Sequence, residues 1–238
     1  MDSSALNDDA PADSARRRRT RDRLVDAAYE VFAEYGVHAA SVEMICEHAG
    51  FTRGAFYSNF QAKEELFFAL MERENTIRIG RLQQGIASFL DPIAGDHPSF
   101  GEEVVETIIR QFLELQADDR RWCLVQSEFA LLAMRDPSVA GSYRTFQAEF
   151  LDQLTAIIVQ AIDTVGLRFS IDARSATRLI VGSYEDAMVD SILDPGGPGA
   201  SERALGELTA VILALTSPSE QGPKALGKTE PVAGVLSS

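Results

Sequence analysis

The sequence predicts an all-helical protein, and three observations carry that reading. From about residue 20 to residue 216, apolar side chains recur at steps of three and four, the spacing that gathers one face of a helix. Alternating runs of the kind a half-buried strand needs are nearly absent. Glycine, proline and aspartate punctuate the pattern so that nine helices fit between the breaks, three short ones followed by six longer ones.

Residues 1–15 are small, acidic and polar, with Pro11, and read as disordered. The first helix is expected over Thr20–Tyr35, where Leu24, Ala27, Ala28, Val31, Phe32 and Tyr35 share a face, and Gly36 supplies the left-handed stop. Ser41 is placed to cap a second helix, with Glu43 near its positive end. That helix buries Val42, Ile45, Cys46 and Ala49 before Gly50 turns the chain. Thr52 caps a short third helix with Phe56 inward. A long fourth helix is expected from Lys63 to about Phe89.

After the loop from Asp91-Pro92 to Pro98, helices are expected over Phe100–Leu115 and Arg120–Met134. Another runs from Pro137 or Ser138 to about Val165, closed by Gly166. Asp172 caps a helix to Leu193, and the run Asp194-Pro195-Gly196-Gly197-Pro198-Gly199 breaks it. Ser201 is expected to cap the last helix, to Leu215. The tail from Ser217 is rich in Pro, Gly and Ser and reads as disordered.

Composition narrows the function. The chain is 45% hydrophobic, enough for a sizeable core, yet no apolar run reaches the eighteen or so residues of a membrane span. No apolar segment follows the arginine-rich start as a secretory leader would require, so a cytoplasmic protein is expected. Cys46 and Cys123 form no CxxC and read as thiols in a reducing compartment.

A net charge of −14 opposes nucleic-acid binding when taken alone. Phosphate responds to the local field, however, because salt screens charges beyond about 10 Å. From Arg16 to Lys63 eight basic residues face six acids, a balance of +2, while the rest of the chain carries −16. A near-neutral head on an acidic body is compatible with DNA binding through the head alone.

Chemistry points the same way. There is no GxSxG, HExxH, P-loop or GxGxxG, and His38, His48 and His97 lack metal-ligand spacing, so neither a cofactor nor a metal is expected. Glu64-Glu65 and Glu102-Glu103 lie at helix starts, where the helix dipole explains them. Two short helices joined by a glycine turn and packed on a preceding helix make a helix-turn-helix. Its second helix must bring an unobstructed N-terminal half to the major groove, and Thr52-Arg53-Gly54-Ala55 suits that task. Arg53 can fork onto a guanine edge or a phosphate, Gly54 permits close backbone approach, and Tyr57 sets a hydroxyl at the rim. Lys63 at the next helix start suits a phosphate. Phe56 and Phe60 read as core.

At these residues the chain resembles the TetR/AcrR family of regulators. The similarity covers Arg21–Leu70 and includes Gly36, Ser41, Val42, Ile45, Ala49, Gly50, Thr52, Arg53 and Gly54. Its most specific part is the run Phe56-Tyr57-Ser58-Asn59-Phe60-Gln61-Ala62-Lys63-Glu64. The resemblance implies that Ser41, Thr52, Arg53, Tyr57 and Lys63 contact DNA while Gly54 and Ala55 line the base-facing surface. One departure is Ala62, where the family often has Ser, Asp or Asn. An alanine cap costs about 1 kcal/mol and blurs the start of the fourth helix by a residue or two.

The resulting organisation is an arm over residues 1–17, a helix-turn-helix domain over 18–78 with its motif at about 41–60, an effector-binding and dimerisation domain over 79–216, and a tail over 217–238. Arg16, Arg17, Arg18 and Arg19 are either a solvated charge run or an arm into the minor groove. Candidate effector-pocket residues are Phe112, Trp122, Gln126, Phe129, Phe146, Phe150 and Tyr184, though most could equally be core. Their aromatic character hints at an apolar or aromatic effector. Candidate dimer-interface residues are Ile180, Ala187, Met188, Leu208, Ile212 and Leu215, on the last two helices. The resemblance implies a homodimer on a double-stranded DNA operator, repressing until a small-molecule effector releases it. An effector-independent DNA-binding protein and a helical enzyme are the alternatives; the large body beyond the motif argues against the first.

Overall fold

A computed structural model describes residues 10–90, 102–115, 120–194, 196 and 200–219. The helices are α1 (Ala10–Ala39), α2 (Val42–Ala49), α3 (Arg53–Tyr57), α4 (Lys63–Leu90), α5 (Glu102–Leu115), α6 (Arg120–Arg135), α7 (Pro137–Thr164), α8 (Ala173–Leu193) and α9 (Ala200–Leu215). Two short strands, β1 (Leu167–Phe169) and β2 (Thr216–Pro218), complete the described elements. The expected all-helical class holds, and no described helix is long and apolar enough to cross a membrane.

Local chemistry accounts for most boundaries. Gly36 leaves α1 with φ 77° and ψ 157°, a conformation nearly restricted to glycine, and so splits its last turn from the rest. Pro137 stands at the first position of α7, where its missing N–H costs nothing, and Asp136 accepts from Ser138 N at 2.9 Å and Ser138 Oγ at 2.7 Å. Asp172 caps α8 by accepting from Ser175 N at 2.9 Å. Those hydrogen bonds hold both aspartates below the usual carboxylate range.

Three boundaries differ from expectation. Helix α1 begins at Ala10, so residues 10–17 are helical rather than part of a disordered arm, and Arg16–Arg19 lie on a helix. Alanine and arginine are strong helix formers, and α1 extends through them. Helix α9 takes in Ala200, which puts Ser201 inside its first turn rather than at the cap. Residues 216–218, expected in the tail, pair antiparallel with β1, with Phe169 opposite Thr216 and Leu167 opposite Pro218. The remainder of the expected arm and tail, and the 91–98 loop, lie outside the described residues.

Packing sorts the chain into two compact units. The first contains the chain up to Arg78 together with Asp118–Ala148, so α6 and the start of α7 pack with the helix-turn-helix rather than with the body. Its core joins Leu24, Ala28 and Phe32 of α1 to Ile45 of α2, Phe56 of α3, Leu66, Phe67 and Leu70 of α4, and Val125 and Phe129 of α6. Phe129 is completely buried, with its ring edge-on to Phe67, Phe68 and Tyr143 at centroid distances of 4.7, 4.9 and 4.8 Å. It is a core residue, and Phe146 packs against its ring at a centroid distance of 5.9 Å.

A polar layer borders this core. Arg78 pairs with the buried Glu74 at 2.7 Å, Arg73 reaches Glu74 and Asp26 of α1, and Arg121 of α6 pairs with Glu30 of α1. The Arg78 guanidinium lies 4.1 Å above the Trp122 ring, so that tryptophan is a packing surface for an arginine.

The second unit contains Ile79–Ala117 and Glu149–Ser238. Helices α8 and α9 pack on each other and α5 packs on α9, around Val105, Ile109, Leu113, Ile180, Ala187, Ala204 and Leu208. Tyr184, Ile212 and Leu215 pack against this cluster, and Met188 is buried as well. The residues expected at a dimer face are therefore largely intrachain core. The strongest apolar stripe of each helix faces its neighbour within the same chain.

Alanine at position 36 would have to adopt a positive φ, and its Cβ would lie 3.2 Å from the Glu128 carboxylate. Gly36→Ala is expected to lower the unfolding free energy by about 1–3 kcal/mol. Calorimetry checks this through a fall in Tm, and an unchanged Tm would contradict it.

Candidate nucleic-acid interface

The site begins at Ser41, whose extended backbone and Oγ, accepting from Met44 N at 3.1 Å, start α2. Gly50 ends α2 in the left-handed region with φ 68°. Its N–H reaches Glu47 O at 3.1 Å and the next N–H, of Phe51, reaches Cys46 O at 2.8 Å, which is a Schellman turn. Thr52 then caps α3, its Oγ1 accepting from Ala55 N at 3.3 Å. Cys46 sits beneath this turn. Burial pushes its thiol pKa up, with Glu43 adding to the shift, and its S–H donates to Thr52 O at 3.6 Å.

Three arginines of α1 hold the motif. Arg23 donates to Ala49 O at 2.7 Å and lies 4.5 Å over the Phe51 ring, which pins the α2–α3 turn. Arg21 donates to Asn59 O at 3.0 Å and lies 4.2 Å over Phe60. Arg17 donates to Ser58 O at 3.2 Å. The carbonyls beyond a helix C-terminus need partners, and these side chains supply them. Sequence periodicity marks these arginines as polar-face residues and gives no sign of this task. Of the four expected arm residues, Arg17 thus braces the end of α3, while Arg16, Arg18 and Arg19 are exposed on the same helix.

Held in this way, the start of α3 stands open. Tyr57 is 52% exposed and its ring packs edge-on to Phe56. The Arg53 side chain is 60% exposed, pairs with Glu43 at 2.6 Å and lies 5.8 Å from the Tyr57 ring. A hydrogen bond with Tyr57, and then the Glu43 charge, raise its pKa further, so the guanidinium stays charged. A Cβ on Gly54 would meet nothing closer than Thr52 Oγ1 at 3.7 Å. Packing within the chain therefore does not require glycine there, although glycine inside a helix costs about 0.5–1 kcal/mol relative to alanine.

Ser41, Thr52, Arg53, Gly54 and Ala55 thus gather at the starts of α2 and α3, with Tyr57 at the end of α3. Lys63 is the exception. Its ammonium donates to Val37 O at 2.6 Å and Ala40 O at 2.8 Å, so two of its three protons close the corner after α1. It is a structural staple where a free phosphate clamp was expected. Helix α4 does start at Lys63 despite Ala62, because Glu65 reaches back to accept from Gln61 N at 2.6 Å.

Of the expected pocket residues, Trp122, Gln126, Phe129 and Phe146 belong to the first unit, and Phe150 and Tyr184 to the second. The side chain of Phe112 lies outside the described residues.

Comparison with known proteins adds the following. Residues 24–70 match the family of bacterial regulatory proteins of the tetR type, and residues 101–216 match the C-terminal domain of BetI-type transcriptional repressors. The HTH-type transcriptional regulator UidR of Escherichia coli K12 is 34% identical over 122 residues, 51% of this chain and 56% of that protein. The chain thus spans little more than half the length of that relative. Among solved structures, SmeT, the repressor of the Stenotrophomonas maltophilia efflux pump SmeDEF, superposes with a TM-score of 0.57 at 20% identity over 89% of this chain and 97% of its own. FadR of Bacillus subtilis, in complex with stearoyl-CoA, gives 0.59 at 22% identity over 79% and 97%. At these identities the two structures establish a shared fold.

Removing the Lys63 ammonium leaves two carbonyls without a charged donor. Lys63→Ala is expected to destabilise the free protein by about 1.5–3 kcal/mol in urea unfolding without DNA. A residue that only clamped phosphate would leave that stability unchanged.

Proposed function

The chain belongs to the TetR family of DNA-binding transcriptional regulators, and we propose that it acts as a homodimeric repressor that grips an operator through the start of α3 and releases it when a small molecule binds. The observation that carries the DNA contact is Gly54. It weakens α3 and fills no tight space inside the chain, yet it stands beside the exposed Arg53 and Tyr57. A surface arriving from outside supplies the missing reason, since a helix entering the major groove needs close backbone approach. In this reading Arg53 reads a base edge. Thr52, Ser41 and the open N–H groups of α3 meet phosphate. Lys63 has one proton left for a phosphate at most.

Dimerisation supplies the second half-site. Its surface in this reading is the outer stripe of α8 and α9, opposite the intrachain core. Leu179 (52% exposed), Val189 (39%) and Leu193 (76%) lie along one side of α8, nearly three turns and then one turn apart, with the exposed Gly182 among them. On α9, Gly206, Ala210, Leu213 and Ala214 make a parallel exposed stripe of small and apolar residues. A second copy packing on these helices forms a four-helix interface. SmeT and FadR support a ligand-responsive repressor by fold likeness, since the first is described as a repressor and the second holds stearoyl-CoA. An effector that prefers the DNA-released state shifts the population toward it.

Two outcomes follow. Arg53→Ala is expected to weaken binding to the operator by about 1–3 kcal/mol while changing affinity for unrelated duplex much less, measured by fluorescence anisotropy with competitor DNA. Equal losses on all sequences would reduce Arg53 to a phosphate contact. Leu193→Asp buries a charge twice in a symmetric interface and is expected to raise the dimer dissociation constant by about two orders of magnitude in sedimentation equilibrium, each leucine being worth about 1.5–3 kcal/mol. An unchanged dimer would place the interface elsewhere.

A further inference from the structure

The acid at the mouth of the reading surface suits the positive end of α2, yet that position does not require its pairing with Arg53. Glu43 lies in the first turn of α2 and pairs with Arg53 Nη1 at 2.6 Å, with the two side chains 55% and 60% exposed. Pairs this exposed add little to stability. Toward DNA the carboxylate is adverse, because it sets a negative charge beside the expected path of the phosphates. What the pair does achieve is geometric. It fixes the end of a side chain that otherwise samples many rotamers, while the Tyr57 ring lies 5.8 Å from the same guanidinium. The guanidinium has five N–H donors, so it can keep Glu43 on one edge and fork onto guanine O6 and N7 with another.

We propose that Glu43 is a specificity-determining residue of the DNA interface, a positioning carboxylate that holds Arg53 in its base-reading pose and penalises phosphate-only encounters. It rests on the reading of α3 as the base-contacting helix. Its two effects act in the same direction on discrimination: preorganisation strengthens the correct complex, and repulsion weakens the incorrect ones. They act in opposite directions on affinity. Simple charge removal would tighten binding to every duplex, whereas loss of positioning weakens only the cognate complex.

The test uses the full chain, with a duplex selected by the wild-type protein from a randomised pool and an unrelated duplex of equal length. Glu43→Gln keeps the shape and removes the charge. The variant is expected to bind the unrelated duplex several-fold tighter, while the ratio of selected to unrelated affinity falls about tenfold, within the discrimination a bidentate arginine supplies. In an Arg53→Ala background the same substitution is expected to leave the ratio unchanged while still tightening unrelated binding. Two results would overturn the proposal. In one, Glu43→Gln tightens both duplexes equally, which makes the acid a bystander charge. In the other, the ratio falls as far in the Arg53→Ala background, which makes Glu43 act without the arginine. If the wild-type protein selects no duplex at all, the reading of α3 fails first and this proposal with it.

Discussion

The corner after α1 is the constraint on which the DNA-binding unit depends. Between Gly36 and Ala40 the chain abandons one helix and must start another at once, because Ser41 already caps α2. Backbone groups at such a corner cost free energy unless paired. Glu128 of α6 accepts from Val37 N at 3.2 Å, and Lys63 of α4 donates to Val37 O and Ala40 O. Two opposite charges from two other helices thus satisfy one bend. The same contacts fix where α4 begins and how α6 lies on α1. Everything downstream, from Ser41 through the Gly50 turn to Arg53, inherits its position from that bend.

Within this unit the positive charge is divided between structure and binding. Arg17, Arg21 and Arg23 serve carbonyls at the ends of α2 and α3. Lys63 serves the corner. Arg53 alone among the expected contacts presents a charged head at the open start of α3. This division explains how a local balance of only +2 can serve recognition: half of the eight basic residues, Arg17, Arg21, Arg23 and Lys63, hold the backbone that aims Arg53. The Arg73, Glu74 and Arg78 layer on α4 adds rigidity of another kind. Breaking a buried pair such as Arg78 with Glu74, both on α4, is costly, and Arg73 carries the layer across to Asp26 of α1.

Much of this was legible in the sequence because it is local. Ser41, Gly50, Thr52, Pro137 and Asp172 mark their elements through chemistry that acts within four residues, and Phe56 and Phe60 are buried as their spacing implies. What was not legible is long-range. Periodicity says that Ile180, Ala187 and Leu208 face something apolar; it does not say whether the partner is the same chain or another, and here it is the same chain. The exposed stripe through Leu179, Val189 and Leu193 is weaker in pattern, and an aspartate, Asp186, interrupts it. Phe129 carries no mark separating a core ring from a pocket wall. The partners of Lys63 lie 23 and 26 residues away, and three-residue strands such as β1 and β2 are too short to show a period.

The central claim is that the start of α3, aimed by this corner, is the DNA-reading surface. Amide hydrogen exchange of the full chain, with and without a duplex carrying its operator, tests it most directly. Slowed exchange on DNA at Ser41–Met44 and Thr52–Tyr57 is the predicted result. Unchanged exchange across Thr52–Tyr57, with protection appearing only on other segments, would contradict it.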